Sequence, residues 1–148
     1  MPVAPVRVLL VDDFAPWRHY VRSMLRGHVE VQLIGEEADG LEAVQKASDL
    51  KPDLILLDIA LPKLDGIAAA KQTRQTVPDT KIVFLTMNRD PDVVHAALDP
   101  GAKGYLLKAE AGRELWLAIK AVLQGKQFVS SGLIDCATSS RSFEVVSN

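Results

Sequence analysis

The chain has 148 residues, 48% of them hydrophobic and 24% charged, which is ordinary for one globular domain with a single core. Its formal net charge of −2 gives no electrostatic footprint for nucleic acid or an anionic membrane. A single cysteine, Cys136, excludes an internal disulfide and a cysteine-based zinc site. Without a signal-peptide pattern at its start, or an apolar run near the ~20 residues of a membrane span, we expect a cytoplasmic protein.

The first half of the chain predicts three strands that alternate with three helices. The third strand is an apolar run without polar alternation, which is typical of a strand buried on both faces of a parallel sheet. In the second helix, which Asp39 is expected to cap, we expect Leu41, Val44 and Ala47 to face the core. The predicted strands are 6–11, 29–34 and 54–57, and the predicted helices are 16–26, 39–50 and 65–76.

The second half continues the same alternation, with strands at 81–85 and 104–107 and helices at 91–98 and 111–124. Alternating strands and helices predict βαβ crossovers, and therefore an α/β fold with a five-stranded parallel sheet covered on both faces. We expect this domain to span residues 1–125. Residues 126–148 contain several serines and no sustained periodicity, so we expect a tail that is partly disordered.

Polar side chains follow four of the predicted strands at the point where each strand ends. They are Asp12 and Asp13, Asp58, Thr86, and Lys108. Taken alone, Asp58 could simply open a turn. Because parallel strands point the same way, however, these side chains belong to one edge of the sheet, and ligands of open α/β sheets bind outside that edge. The five residues therefore form one candidate site.

Three clustered carboxylates repel one another, so either some of their pKa values rise or a divalent cation binds. Oxygen ligands without cysteine or histidine favour Mg²⁺, or Mn²⁺, over zinc. A carboxylate can also act as a nucleophile and form an aspartyl phosphate. The metal and Lys108 would then neutralise charge on the transferring phosphoryl group, and Thr86 could donate its hydroxyl to a phosphoryl oxygen.

At these residues the chain closely resembles the receiver domain of bacterial two-component response regulators. The resemblance spans residues 6 to about 124 and implies a flavodoxin-like (βα)5 fold with strand order 2-1-3-4-5. The matching motifs are Val11-Asp12-Asp13, Leu57-Asp58-Ile59-Ala60-Leu61-Pro62, Asp65-Gly66, Leu85-Thr86 and Gly101-Ala102-Lys103-Gly104-Tyr105-Leu106-Leu107-Lys108.

The resemblance also implies a role for each site residue. Asp58 would be the phosphoacceptor and share the metal, with Asp13 binding Mg²⁺ directly and Asp12 mainly through water. The backbone carbonyl of Ala60 would be a further metal ligand, and Lys108 would pair with the phosphoryl group.

A second set of residues would respond to the phosphoryl group. By the same resemblance, Thr86 would close on it while Tyr105 changes rotamer, so the two form a switch. Met87 and Asn88, together with Ala60, would tune the lifetime of the phosphoryl-aspartate.

Two departures from the family pattern bear on these expectations. Many receivers have proline after the lysine, where this chain has Ala109, and the isomer of the Lys108–Ala109 bond stays open. The motif around Lys108 is of the receiver type usually followed by a helix-turn-helix, for which residues 126–148 leave no room. We therefore expect output through an unknown partner protein, unless the chain is a fragment of a longer DNA-binding regulator.

The leading hypothesis is a receiver that accepts a phosphoryl group from a sensor histidine kinase or phosphotransfer protein, and acts as an enzyme only on its own Asp58. Apolar exposure on the first and last helices would support a homodimer. One alternative is a receiver-like scaffold that is never phosphorylated. Another is a phosphatase with an aspartyl nucleophile, although such enzymes place an acid where this chain has Ala60, and the chain has no glycine-rich phosphate loop.

Overall fold

The structure is a computed structural model that describes residues 4–87, 97 and 103–130. It comprises two compact units, Met1–Thr80 and Lys81–Asn148. Among the described residues, every helix is too short or too polar to cross a membrane. The predicted helix at 91–98 and most of the predicted tail lie outside the described residues.

The first unit alternates three strands with three helices. The middle strand, β1, pairs in parallel with both of the others, and the four residues from Val8 to Val11 are fully buried. Every position of β3 is also buried, as its unbroken apolar run predicts. The elements are β1 (Val6–Val11), α1 (Ala15–Arg26), β2 (Val31–Glu37), α2 (Gly40–Leu50), β3 (Leu54–Asp58) and α3 (Gly66–Thr76).

The second unit contributes three further parallel strands and a helix. Its middle strand, β5, pairs with β4 on one side and β6 on the other. The strand order of the sheet is β2-β1-β3-β4-β5-β6, which confirms the predicted α/β flavodoxin-like order and corrects the strand number from five to six. The elements are β4 (Lys81–Thr86), β5 (Gly104–Leu107), a short 3₁₀-helix (Lys108–Glu110), α4 (Ala111–Leu123) and β6 (Phe128–Val129).

The extra strand, β6, falls within the stretch predicted to be tail. Its two side chains are buried, and the backbone N–H groups of Phe128 and Ser130 donate to the carbonyls of Lys103 and Tyr105 at 2.8 and 2.9 Å. The Ser130 hydroxyl is also buried and accepts a hydrogen bond from the Leu107 N–H at 2.8 Å. At least the part of the tail up to Ser130 therefore belongs to the sheet.

Two helix starts agree with the sequence prediction. Asp39 caps α2 by accepting a hydrogen bond from the Glu42 N–H at 2.8 Å, and Asp65 caps α3 by accepting one from the Ala68 N–H at 2.9 Å. Each carboxylate satisfies a backbone N–H that has no partner within its helix.

The inward face of α2 was predicted only in part. Ala47 is buried as predicted, but Leu41 is 53% exposed, and the other buried residues of the helix are Gly40 and Ala43. A Cβ at Gly40 would lie 1.7 Å from the carbonyl oxygen of Leu64, so this helix approaches the chain before α3 too closely for a side chain there. The helix makes its closest packing through its smallest residues, and Leu41 points outward.

Candidate functional site

Three acids meet at the carboxyl ends of β1 and β3. Val11 is in register with Leu57, so Asp12 and Asp58 follow neighbouring positions of adjacent strands. One carboxylate oxygen from each of Asp12, Asp13 and Asp58 lies within 4.8 Å of the others. Asp12 and Asp58 are buried and Asp13 is exposed. Carboxylates this close and this buried repel one another unless a cation joins them, and an all-oxygen donor set suits Mg²⁺ or Mn²⁺.

Several hydrogen bonds hold Asp12 in place. Its N–H donates to the Glu37 carbonyl at 3.0 Å, and its Oδ1 accepts from the Phe14 N–H at 2.8 Å. Its carbonyl oxygen accepts a hydrogen bond from Nη1 of Arg18 at 2.5 Å. These bonds fix both the peptide planes and the side-chain rotamer of a residue that sequence reasoning assigned to the metal.

The loop after Asp58, residues 59–65, closes mainly through its own backbone. The Leu61 and Gly66 N–H groups donate to the Ile59 carbonyl at 3.1 and 2.8 Å. Ala60, whose carbonyl was predicted to bind metal, is exposed, and its N–H lies 3.3 Å from Oδ1 of Asp58. A Cβ at Gly66 would lie 2.1 Å from the Asp58 carbonyl oxygen, so the position requires glycine.

The loop after Asp58 also contacts the start of α2. The Gly40 N–H donates to the Pro62 carbonyl at 3.3 Å, and Nζ of Lys63 lies 3.5 Å from Oδ2 of Asp39. The Glu42 backbone hydrogen bond, helped by Lys63, lowers the pKa of the Asp39 carboxyl. Lys63 adopts a left-handed backbone conformation with φ of 68°, which is uncommon for a residue with a side chain.

A charge network lies beside the acid cluster on α1 and β2. Arg22 binds Glu36 through two hydrogen bonds, Nε to Oε2 at 2.7 Å and Nη2 to Oε1 at 3.0 Å. Nε of Arg18 lies 3.3 Å from Oε1 of the same carboxylate. The hydrogen bond from Arg22 lowers the pKa of Glu36, whereas burial raises the pKa of its neighbour Glu37.

Sequence reasoning missed this network. The available signal was that Arg18 and Arg22 stand four residues apart on one helix, and therefore on one face, just after the acid pair. Their acidic partner could not be read from the sequence, because Glu36 lies 14 residues beyond Arg22 in a segment that was not expected to be a strand.

The remaining predicted site residues belong to the second unit. Thr86 ends β4 and is buried, and it is in register with Leu107, the residue before Lys108. Thr86 and Lys108 thus stand at the same end of two paired strands, as their sequence positions predict. Tyr105 is fully buried within β5.

The last predicted site residues are Met87 and Asn88, which directly follow Thr86. Met87 is 82% exposed, and Asn88 lies outside the described residues. The Lys108–Ala109 peptide bond is trans, as is every described peptide bond.

Comparison with known proteins defines the class. The family model for the response regulator receiver domain matches residues 8–120, and the chain belongs to that family. It is therefore a receiver domain of the response regulators of two-component systems.

Among curated proteins, the chain is 38% identical over 126 residues to the transcriptional regulatory protein LiaR of Bacillus subtilis (strain 168), covering 85% of this chain and 60% of LiaR. This chain thus spans about three-fifths of the length of that relative.

Solved structures agree on the fold. A LuxR-family two-component response regulator from Aurantimonas sp. SI85-9A1 superimposes with a TM-score of 0.87 and 28% identity, over 95% of this chain and 100% of that one. The RcsB response regulator of Salmonella typhimurium superimposes with a TM-score of 0.85 and 26% identity, over 93% of this chain and 69% of RcsB. Both identities are modest, so the likeness concerns the domain and not its output.

Proposed function

We propose that this receiver accepts a phosphoryl group on Asp58 from a sensor histidine kinase or a phosphotransfer protein, in a Mg²⁺-dependent reaction in the cytoplasm. The observation that carries the proposal is the cluster of Asp12, Asp13 and Asp58, with carboxylate oxygens within 4.8 Å of one another and two of the three residues buried. Such a cluster in a receiver fold combines a nucleophilic carboxylate with ligands for the cation that phosphoryl transfer requires.

Each residue of the site has a defined task in this reaction. An oxygen of Asp58 attacks the phosphorus, the bond from phosphorus to the donor histidine breaks, and the electron pair returns to the imidazole. Asp12, Asp13, Asp58 and the Ala60 carbonyl would hold Mg²⁺, which neutralises charge on the phosphoryl oxygens. The Lys108 ammonium pairs with the same group.

The reaction is limited to the chain itself. Water later attacks the acyl phosphate and releases inorganic phosphate, so the receiver processes only its own phosphoryl group and acts on no external substrate. By their positions in the receiver motif, Met87 and Asn88, with Ala60, would tune the rate of that hydrolysis. The large exposed fraction of Met87 supports this assignment.

Phosphorylation then alters an interaction surface. The Thr86 hydroxyl donates to a phosphoryl oxygen, and Tyr105 changes rotamer in response. Their burial supports the assignment, because a buried side chain cannot move without changing the packing of its strand. The signal passes to a protein partner through the faces of the second unit.

Two features bear on how the output is organised. Tyr20 on α1 and Leu117 on α4 expose apolar surface, which supports a homodimer. The second candidate is the receiver part of a longer DNA-binding regulator, since LiaR is a transcriptional regulatory protein and RcsB dimers have been solved bound to DNA. We propose residues 1–125 as the receiver proper, to whose sheet the following strand β6 (Phe128–Val129) is added.

The test is phosphorylation of the intact chain by acetyl phosphate with Mg²⁺, followed by mass spectrometry and by amide NMR shifts. We expect one phosphoryl group that is cleaved by base and by hydroxylamine, and shifted amides at Thr86 and Tyr105, both lost in Asp58→Asn. Asp79→Asn, an exposed acid outside the cluster, is the matched control and should behave like the unmodified chain. An unlabelled chain, or equal labelling of Asp58→Asn, would favour the unphosphorylated scaffold.

A further inference from the structure

We propose that Arg18 is a positioning residue for the metal site. Its guanidinium holds the main chain of Asp12, and Glu36 with Arg22 holds the guanidinium. The proposal rests on the proposed function, because the site it serves is the one proposed to bind Mg²⁺ for phosphoryl transfer.

The contact itself is short and directed. Nη1 of Arg18 donates to the Asp12 carbonyl oxygen at 2.5 Å. A hydrogen bond from a charged guanidinium is stronger than one between neutral groups. The Arg18 side chain is only 21% exposed, so it lies along the protein surface from the first turns of α1 back to the end of β1.

This contact differs in kind from the other bonds to Asp12. The Phe14 and Glu37 bonds involve backbone groups of those residues and survive any ordinary substitution there. The Arg18 bond comes from a side chain and can be removed without removing a metal ligand. Arg18 is therefore a point at which the orientation of Asp12 depends on a residue outside the cluster.

Glu36 explains why Arg18 keeps this conformation. Its carboxylate accepts two hydrogen bonds from Arg22 and lies 3.3 Å from Nε of Arg18, while its side chain is 23% exposed. The Arg22 bond lowers the pKa of Glu36, so the carboxylate is ionised at neutral pH. An arginine can bind the Glu36 carboxylate through Nε and the Asp12 carbonyl through Nη1, because its N–H donors lie in one plane and point in different directions. The single ammonium of lysine cannot reproduce this arrangement.

The charge of Arg18 and its orienting role predict opposite changes in Mg²⁺ affinity when Arg18 is removed, so one measurement distinguishes them. A guanidinium near three carboxylates repels an arriving cation, so if charge alone mattered, Arg18→Ala would bind Mg²⁺ more tightly. If Arg18 orients Asp12, the same variant binds Mg²⁺ more weakly, because the ligand must be ordered at the moment of binding.

The experiment is a Mg²⁺ titration of the full chain without any phosphodonor, followed by calorimetry and by the amide shifts of Asp12 and Asp13. We expect Arg18→Ala and Arg18→Lys each to raise the Mg²⁺ Kd about tenfold, the lower end of the range for residues that orient metal ligands. Arg26→Ala, an exposed arginine near the end of the same helix, is the matched control and should leave the Kd unchanged.

A double-mutant cycle tests the role of Glu36. Glu36→Gln alone should raise the Kd less than Arg18→Ala does, and it should add nothing when Arg18 is already alanine. Unfolding by urea without Mg²⁺ provides the structural comparison, since a merely structural role lowers stability and leaves the Kd of the folded protein unchanged.

The outcomes separate the two proposals. An unchanged or lower Kd in Arg18→Ala, a normal Kd in Arg18→Lys, or additive effects of the Arg18 and Glu36 substitutions would each overturn the positioning role. Failure of the unmodified chain to bind Mg²⁺ would instead overturn the proposed metal-dependent function, and the positioning role with it.

Discussion

The two loops beside the acid cluster are held by different means. The first, residues 12–14 between β1 and α1, depends on a side chain, because Arg18 binds the Asp12 carbonyl from the next helix. The second, residues 59–65 between β3 and α3, depends on backbone hydrogen bonds and on Gly66, which is pressed against the Asp58 carbonyl. The first loop is held in part by the charged Arg18 side chain, whereas the second is held mainly by backbone hydrogen bonds and steric fit, with the Lys63–Asp39 ion pair as a charged contact.

The difference indicates which loop responds to conditions. A contact held by a guanidinium and a carboxylate weakens when either loses its charge, whereas a contact held by van der Waals exclusion does not change with pH or salt. The proposed nucleophile is thus followed by the loop that depends less on charge. The residue proposed to contact the metal through water belongs to the adjustable one.

We expect the largest effect from a substitution that disrupts the steric fit of the loop after β3. Gly66→Ala places a methyl group against the Asp58 carbonyl, which is backbone and cannot rotate away, so we expect the free energy of unfolding to fall by about 3 kcal/mol. Urea denaturation measures it. Gly27→Ala is the control: a Cβ there meets nothing within 4 Å, and we expect a gain of about 0.5 kcal/mol. Similar losses in both variants would contradict the steric account.

A smaller effect probes the backbone of the same loop. Lys63 has φ of 68°, so Lys63→Gly should be more stable than Lys63→Ala by about 1 kcal/mol, because only glycine adopts this conformation without strain. Both variants lack the Asp39 contact, so its loss cancels in the comparison. Thermal unfolding at neutral pH gives the difference. Equal stabilities would mean that the loop relaxes without cost.

The smallest effect is a pH dependence specific to the charge-held loop. The folded pKa of Glu36 lies below its unfolded value, so its stabilisation is present above the usual glutamate pKa of about 4.3 and is lost as pH falls through the folded pKa. The difference in unfolding free energy between the unmodified chain and Glu36→Gln should therefore shrink below about pH 4. His19→Gln in both backgrounds removes the imidazole beside Arg22. A difference that is constant from pH 3 to pH 7 would contradict the sign.

Short-range patterns predicted the parts of the fold that they control. The buried run of β3, the Asp39 cap and the start of α3 near Asp65 depend on neighbouring residues, and the structure agrees with each. The grouping of Asp12 with Asp58 required only the parallel direction of two strands. Local hydrophobicity, chain direction and cap chemistry were sufficient for these features.

The errors concern residues whose environment is set by distant partners. The second strand was expected at 29–34, but Val29 is 90% exposed and β2 extends to Glu37. Glu36 is tolerated there because Arg18 and Arg22 neutralise it from another element. Strand β6 was also missed. A strand of two residues is too short to show a hydrophobic period, and it is recognised only by its pairing with β5.

The short strand β6 has a practical consequence for anyone who shortens this chain. Cutting after Gly125 would remove the partners of the Lys103 and Tyr105 carbonyls and of the Leu107 N–H. The outer side of β5 would then offer a row of unsatisfied backbone groups to any extended polypeptide, which is the usual origin of strand-mediated aggregation. We therefore expect a shortened chain to stay monomeric more readily if it keeps Phe128 to Ser130.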